Sequence, residues 1–458
     1  MVFQYSDFSE KLYQRNTMKK ASYIFGIMKE HIHSEKFLKT CKISPQSFLR
    51  ERVLTYKVIF LFILNLLRTS IPKELISFCN ICAVDGVSRS AVTQARAKLS
   101  PSSFIELNHI LIKEFYTDNN FMTFQDLIVM GVDGSTLELP IDSPAIIQKY
   151  GCTSNQTKQE TPMARISNLY DAINGIVWDA IIAPYNASER DMAIQHFEKI
   201  KTLEIVNLNK ILAIFDRGYP SLPLIVYLLK NGINFLMRSS NQFLKEVNDV
   251  VRAGKLDTVI QISLKRATRA AKAELKQLFP DLDMNEVISI RVMIITLNTG
   301  EKEILLTSLL NKQQYPYKIF LELYFNRWGI EENYKFQKVH LEIENFSGKS
   351  ILVVKQDFHA TVLAANARTL LAIEAMKELS CNEYLNQRKY SYVINKNVSL
   401  EMLKNDFVSV LLDPLACVES FCTKAKNTMK KNLVPIRPGR SFKRLRKHPN
   451  RKYHMNQR

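Results

Sequence analysis

Four residues along one predicted helix have the types and spacing that suit contact with a phosphate backbone. They are Tyr324, Arg327, Glu331 and Lys338, in the pattern Tyr-x2-Arg-x3-Glu-x6-Lys. At about 100° per residue, the last three lie within about 60° of Tyr324 around the helix axis, so all four side chains share one face. A carboxylate between cations is normally part of a salt-bridged surface. Here Trp328 and other apolar neighbours indicate a partly buried helix, from which Glu331 suits a metal ligand beside a phosphate group.

Two further carboxylates each follow a short apolar strand and precede a glycine-containing turn. Asp133 follows residues 127–132, and Asp216 follows residues 211–215. Ligands gather at strand ends in α/β sheets, although each aspartate taken singly is also a common turn former. Together with Glu331 they supply three acidic groups, enough to hold two divalent ions about 3.5–4 Å apart. Hard oxygen ligands select Mg²⁺ or Mn²⁺ over zinc, and two such ions can activate a water or a 3′-hydroxyl and stabilise the leaving oxygen of a phosphodiester.

The elements that would position these acids follow an α/β pattern. Residues 166–183 alternate as a hairpin through Asn174-Gly175, which is a strong turn dipeptide. Helical spacing over 189–200 precedes the strand before Asp216, and a helix over 222–230 and a strand over 233–237 follow it. This order predicts an α/β domain with a mixed sheet.

Residues 241–311 interrupt that alternation of strands and helices. Strand-like segments at 258–264, 287–297 and 303–309 flank a basic helix. Cations recur on that helix at i, i+4, i+7 and i+11, which places them in one stripe: Lys265, Arg269, Lys272 and Lys276. Such a stripe is usually a solvated face, and contact with DNA is the alternative. Helix returns from residue 315 to about residue 379.

The N-terminal region, residues 1–122, is predicted to be helical. Within 72–99, two short helices flank a glycine-containing turn, with Ser88 as the N-cap of the second. That second helix carries Arg89 and Arg96 among Ser, Thr and Gln residues, a pattern that fits a helix-turn-helix. An ordinary helical hairpin with a solvated second helix fits equally well.

The charge distribution points to a polyanionic partner. The formal net charge is +19, and the 35 residues from Lys424 to the end contain 13 Lys and Arg and no Asp or Glu. The remaining chain carries only +6. A mildly basic body with a strongly basic tail is typical of proteins that bind nucleic acid.

Several classes of protein are excluded. The longest apolar stretch, residues 58–67, is half the length that a bilayer requires, and no secretory signal is visible, so we expect a cytoplasmic protein. Seven cysteines are too few for a disulfide framework. Cys79 and Cys82 form one C-x-x-C without a second pair, which favours buried thiols over zinc. No glycine-rich phosphate loop is present, which argues against a nucleotide cofactor.

Three motifs in this order resemble those of bacterial insertion-sequence transposases of the DDE type, in the insertion-sequence-four-like group with a Tyr-Arg-Glu-Lys signature. The motifs are Val132-Asp133-Gly134-Ser135, then Phe215-Asp216-Arg217-Gly218-Tyr219, then the four residues from Tyr324 to Lys338. The three acids are 83 and 115 residues apart. The resemblance covers about residues 50–375, and residues 437–440 also resemble the family.

The resemblance implies an α/β fold with a ribonuclease H-like catalytic domain, interrupted by a β-rich insertion. It implies that Asp133, Asp216 and Glu331 bind two Mg²⁺ or Mn²⁺ ions, and that Tyr324, Arg327 and Lys338 contact phosphates of the element end. Some family members stack a flipped base on a tryptophan of the insertion. In this sequence both tryptophans lie elsewhere, at 178 and 328, so that stacking would need another aromatic such as Phe243 or Phe279.

The expected layout is an N-terminal DNA-binding region (1–122), a catalytic domain in two parts (123–240 and 312–378), the insertion (241–311) and a C-terminal segment (379–458) with the basic tail from residue 424.

We expect a cut-and-paste transposase of the bacterial cytoplasm, associated with the nucleoid when bound to DNA. Its DNA contacts would include Arg89, Arg96, Lys265, Arg269 and Lys272. Double-stranded DNA, both terminal inverted repeats and target, is the expected partner, and synapsis of two ends implies a homodimer. We expect no membrane partner. The alternatives are a non-catalytic repressor or decayed transposase, and a structure-specific nuclease.

Overall fold

A nine-stranded mixed sheet runs through the part of the chain that the computed structural model describes. The described residues are 21–50, 52–66, 68–82, 87–117, 121–154, 160–297, 300–380 and 389–437. The strands are β1 (Ile128–Glu138), β2 (Cys152–Ser154), β3 (Glu160–Asp171), β4 (Ile176–Pro184), β5 (Ile211–Phe215), β6 (Asn234–Ser239), β7 (Asp257–Ser263), β8 (Val287–Thr296) and β9 (Lys302–Thr307). Their order is β2-β3-β1-β5-β6-β9-β8-β7, with β4 also paired to β3. The predicted mixed α/β sheet is therefore confirmed.

Helices surround this sheet. They are α1 (Ala21–Ile32), α2 (Glu35–Cys41), α3 (Tyr56–Leu64), α4 (Ile71–Cys82), α5 (Arg89–Arg96), α6 (Ser102–Tyr116), α7 (Pro144–Tyr150), α8 (Glu189–Leu203), α9 (Leu222–Lys230), α10 (Lys245–Arg252), α11 (Arg269–Leu278), α12 (Phe320–Phe325), α13 (Trp328–Val339), α14 (Ile351–Ser380), α15 (Lys396–Glu401), α16 (Asp406–Leu412) and α17 (Val418–Lys431). A small separate sheet pairs β10 (Tyr392–Ile394) with β11 (Leu433–Pro435). Among the described helices, none is long and apolar enough to cross a bilayer.

The central strands combine two kinds of pairing. β3 is antiparallel to both β1 and β4, whereas β1, β5 and β6 are parallel neighbours. The β3–β4 hairpin turns through Asn174-Gly175 as predicted, with Gly175 at φ 73°. The Asp171 carboxylate secures this turn, because it accepts hydrogen bonds from the backbone of Ile173 and Asn174 and from the buried Tyr116 hydroxyl.

The segment predicted as a β-rich insertion continues the same sheet. β9 pairs antiparallel with β6, and β8 and β7 follow outward. The three strands lie within two residues of their predicted bounds. Arg291 fastens the outer strands: its guanidinium, fully buried, donates 2.8 Å hydrogen bonds to both carboxylate oxygens of Asp257.

Helix α14 is the common support of the helical layers. It contacts α3, α6, α17 and β4, and small residues such as Ala364 and Ala367 let these elements approach closely. The N-terminal and C-terminal helices therefore share one apolar cluster with the sheet. Asn366 joins α14 to β4, since its side chain hydrogen-bonds both the N–H and the C=O of Val177.

Candidate active site

Asp133 lies on β1, beside the point where Asp216 directly follows the parallel strand β5. The last registered pair of β1 and β5 is Val132 with Phe215, and the two aspartates are the next residues along the chain. Adjacent strands are about 4.8 Å apart, so the two carboxylates leave the sheet close together. Asp216 begins a turn, in which the Tyr219 N–H donates to its carbonyl.

The prediction that Asp133 ends its strand is wrong. β1 continues to Glu138 because β3 keeps pairing with it, Gly134 opposite Ser167 and so on to Glu138. The strand that ends here is β5. Asp133 therefore lies just beyond the last β1–β5 pair, where β1 is still paired with β3 on its other side.

Helix α13 brings Glu331 to this edge by close contact with β1. Gly131 lacks a side chain where Ile330 packs, and a Cβ added there would lie 3.4 Å from the Ile330 Cβ. Glu331 is the next residue on the helix. Its carboxylate accepts a 2.7 Å hydrogen bond from the Arg327 guanidinium.

The four signature residues are not on one continuous helix, contrary to the prediction. α12 ends at Phe325, and tight i to i+3 backbone bonds carry the chain through Asn326 and Arg327 into α13. The estimate of a shared face at 100° per residue therefore fails across this junction. Tyr324 nevertheless contacts Asp216, with its hydroxyl 3.3 Å from Oδ1, and the Lys338 ammonium donates to the Thr136 carbonyl at 2.6 Å.

Arg327 is the cation at the centre of this group. Its side chain is 7% exposed, whereas that of Glu331 is 45% exposed. Burial acts to lower the pKa of Arg327, but Tyr324, Glu331 and Asp216 together raise it. A guanidinium enclosed by acidic groups is held in its charged form, and here it occupies the neighbourhood in which a metal ion was expected.

Burial and neighbouring carboxylates raise the pKa of Asp133 to about 6. Burial is the largest cause, and Glu189 and Asp216 add to it, while the Gly134 N–H and Arg327 act in the opposite direction. Ionised Asp133 is therefore poorly compensated by the protein itself, as expected of a carboxylate that receives a bound cation.

Glu189, the first residue of α8, was not among the predicted site residues. It packs over Gly134, where an added Cβ would lie 2.7 Å from its Cδ, and it forms an ion pair with Arg165 of β3. No local pattern marks it, because it reaches Gly134 only through the packing of α8 on the sheet.

The residues present fit a hard divalent cation only in part. Within the described ranges, no three His, Cys, Asp or Glu side chains are grouped closely enough to hold one metal ion. Asp133 and Asp216 supply adjacent carboxylate oxygens of the kind that Mg²⁺ and Mn²⁺ prefer. The third predicted ligand, Glu331, is bonded to Arg327 instead.

One predicted DNA contact in the N-terminal region is wrong. Arg96 is 5% exposed and is bound by α14 and the loop before it, with hydrogen bonds of 2.6 Å to Gln356 and 2.6 Å to Asp357. It therefore clamps α5 to α14. Arg89 is exposed at the start of α5, and Ser88 caps that helix as predicted, accepting from the Ala91 N–H.

The basic stripe of the insertion is shorter than predicted. α11 begins at Arg269, with Thr268 as its N-cap, so Lys265 lies in the preceding 3-10 turn rather than on the helix. Arg269 and Lys265 are exposed and Lys272 is half-buried. Their contact with DNA stays a prediction.

The aromatic residues are placed differently from one another. Phe243 and Phe279 are half-buried against the core and Trp178 is buried, whereas Trp328 is 53% exposed at the start of α13. The expectation that Trp328 helps to bury the helix is therefore wrong.

Cys79 is half-buried, and the side chain of Cys82 lies outside the described residues, so the zinc alternative is not tested there.

The predicted tail begins inside a folded helix. α17 packs Phe421 and Met429 on the core, and Lys426 pairs with both Glu374 and Glu378 of α14. Lys424 also pairs with Asp406 and Lys430 with Glu378, so these lysines of the predicted tail have acidic partners. Residues 438–458, which include most of the predicted tail, lie outside the described residues.

A family model described as the transposase DDE domain matches residues 126–367, more than half of the chain. The chain belongs to this family. The matched segment contains Asp133, Asp216 and Glu331. Membership of the narrower Tyr-Arg-Glu-Lys group stays a prediction.

Two known proteins are similar to this one. The putative transposase InsZ of Escherichia coli (strain K12) is 25% identical over 213 residues, which are 45% of this chain and 68% of that protein. The cryo-EM structure of the piggyBac transposase synaptic complex with hairpin DNA aligns with 93% of this chain and 88% of its own, at 9% identity and a TM-score of 0.47.

Proposed function

We propose that the protein is a DNA transposase that nicks the terminal inverted repeats of its element and transfers the 3′-hydroxyl ends into target DNA by a cut-and-paste route. The observation that carries the proposal is the adjacency of Asp133 and Asp216 at the edge where β5 ends, inside the matched DDE domain. The order β4-β3-β1-β5-β6, antiparallel and then parallel, supports a ribonuclease H-like assignment of this domain.

In this proposal Asp133, Asp216 and Glu331 hold two Mg²⁺ or Mn²⁺ ions. Bound there, the ions would activate a water and then a 3′-hydroxyl, and stabilise the leaving oxygen of the phosphodiester. Glu331 bonds Arg327 through Oε1, and exchange of that bond would free both of its oxygens for the ions. A DNA phosphate offers Arg327 an alternative bidentate partner, so substrate binding favours this exchange.

The signature residues near the acids are proposed to position the DNA by contact with phosphates of the element end. Tyr324 contacts Asp216, Arg327 bonds Glu331, and Lys338 bonds the Thr136 carbonyl farther along β1. More distant exposed cations, Arg89, Lys265 and Arg269, with the half-buried Lys272, would extend that surface. Synapsis of two ends implies a homodimer on DNA.

The test is a nicking assay on a duplex that carries the inverted repeats flanking the coding region, with Mg²⁺ or Mn²⁺. Asp133→Asn, Asp216→Asn and Glu331→Gln should each abolish nicking and retain binding to the duplex. Glu332→Gln is the matched control, because Glu332 is the exposed neighbour of Glu331 and forms its ion pair with Lys335, which is also exposed. Nicking by all three acid variants would refute the catalytic assignment.

A non-catalytic DNA-binding protein is the second candidate. The Glu331–Arg327 bond favours it, because a carboxylate engaged by a guanidinium is not poised to bind a metal ion. This candidate predicts that the wild-type protein binds the repeats and nicks neither strand at any Mg²⁺ or Mn²⁺ concentration.

A further inference from the structure

A side-chain hydroxyl is inserted into the sheet beside Asp133. Asp133 of β1 is registered opposite Asn168 of β3. At this pair the Asn168 N–H donates to the Tyr334 hydroxyl at 2.9 Å, and that hydroxyl donates to the Asp133 carbonyl at 2.7 Å. Tyr334 is 6% exposed, so solvent does not replace it. The phenol of α13 thus bridges the two strands where a backbone hydrogen bond would otherwise join them.

A second buried chain of polar groups ends on the same carbonyl. The Ser167 hydroxyl donates to the Asp133 carbonyl at 3.2 Å, and its oxygen lies 3.0 Å from Nε2 of His196. Nδ1 of His196 lies 2.6 Å from the Asp179 carboxylate. Nucleophilic hydrolases use the same sequence of groups, but Ser167 and His196 are both fully buried, so this serine cannot reach a substrate.

These contacts join the elements that carry two of the proposed ligands. Tyr334 follows Glu331 by three residues, about one helical turn, and its hydroxyl is bonded to the main chain of Asp133. Ser167 holds that main chain from β3, and His196 supports Ser167 from α8. The distance between the helix and the strand is therefore set by hydrogen bonds rather than by apolar contact alone.

We propose that Tyr334, together with the Ser167–His196–Asp179 chain, positions the backbone of Asp133 against α13 and so sets how closely the carboxylates of Asp133 and Glu331 approach a common cation. Neither group touches the substrate, so both are positioning residues. The inference rests on the proposed function, since it concerns the metal ligands assigned there.

Removal of the Tyr334 hydroxyl leaves the Asn168 N–H without its partner. The two strands must then close on each other or leave buried polar groups unpaired, and either change moves Asp133 relative to Glu331. Losses of groups that orient metal ligands typically weaken metal binding by about 10- to 100-fold. Tyr334→Phe should therefore weaken Mn²⁺ binding by about that factor and leave duplex affinity within about twofold.

The experiment measures Mn²⁺ bound to the full-length protein–duplex complex by electron paramagnetic resonance of free Mn²⁺, so it does not depend on turnover. Tyr227→Phe is the matched control, because Tyr227 is also a buried tyrosine whose hydroxyl donates a 2.7 Å bond, here to Glu198. Tyr334→Phe loses two hydrogen bonds and Tyr227→Phe loses one, and thermal unfolding reports how much stability each variant loses. Equal Mn²⁺ affinity of the two variants would overturn the inference.

Ser167→Ala and Ser167→Thr provide an independent pair should Tyr334→Phe fail to fold. The alanine removes the hydroxyl that holds the Asp133 carbonyl, and the threonine keeps it on a β-branched side chain suited to a strand. Weaker Mn²⁺ binding by Ser167→Ala and recovery in Ser167→Thr support the inference, and wild-type affinity in Ser167→Ala overturns it. A wild-type complex that binds duplex but no Mn²⁺ overturns the proposed function, and the inference with it.

Discussion

Replacement of Glu189 by glutamine should lower the pKa of Asp133 and extend metal binding to lower pH. Glu189 is one of two carboxylates that raise this pKa, and it packs directly over Gly134. The substitution also releases Arg165 from its ion pair, and the freed positive charge acts in the same direction. Glutamine has the same shape, so the packing over Gly134 is retained.

The size of the expected change in Mn²⁺ affinity follows from the pKa of Asp133. A rise from 3.8 to about 6 corresponds to about 3 kcal/mol against ionising Asp133 in the folded protein. Protons then compete with the cation below pH 6, and about tenfold more Mn²⁺ is needed at pH 5 than at pH 7. A carboxylate with its ordinary pKa would show almost no such change over this range.

The assay is Mn²⁺ half-saturation of the protein–duplex complex at pH 5, 6, 7 and 8, for wild type, Glu189→Gln and Glu332→Gln. The wild type and the Glu332→Gln control should lose affinity as the pH falls through about 6, and Glu189→Gln should lose less. Identical pH curves for Glu189→Gln and the wild type would show that Glu189 does not act on Asp133.

Three further outcomes are expected. Arg96→Ala should destabilise the protein by about 3–5 kcal/mol in urea unfolding, since it leaves the buried Asp357 without its charged partner. Arg89→Ala should cost less than about 0.5 kcal/mol, and equal losses would contradict the placement of Arg96. Trp328→Phe should remove the acrylamide-quenchable part of the tryptophan emission, because Trp178 is buried; persistent quenching in that variant would contradict this difference in exposure. A chain ending after Arg437 loses eight Lys and Arg, and its slope of log affinity against log salt should flatten by about 0.9 per lost phosphate contact. An unchanged slope would remove the tail from the DNA-binding surface.

The elements on which the site depends could be predicted from local patterns. Apolar runs before Asp133 and Asp216 predicted two strands, Asn174-Gly175 predicted the hairpin turn, and Ser88 predicted a helix cap. Each of these features depends on residues a few positions apart, whose backbone preferences and side-chain reach suffice to specify them. For the same reason the three acidic motifs could be recognised in order along the chain.

Contacts between distant segments could not be predicted in this way. Whether Asp133 ends its strand depends on how far β3 continues beside it, and whether Arg96 faces solvent depends on Asp357, 261 residues away. Neither partner is marked by any spacing that a local pattern would reveal.

Glu189 and Tyr334 reach Asp133 only because α8 and α13 pack on the same two strands. Local geometry therefore specified which acids could serve and on which kinds of element. The packing of those elements settled which charges and hydroxyls surround the acids, because burial and hydrogen bonding act through space between residues that the chain keeps far apart.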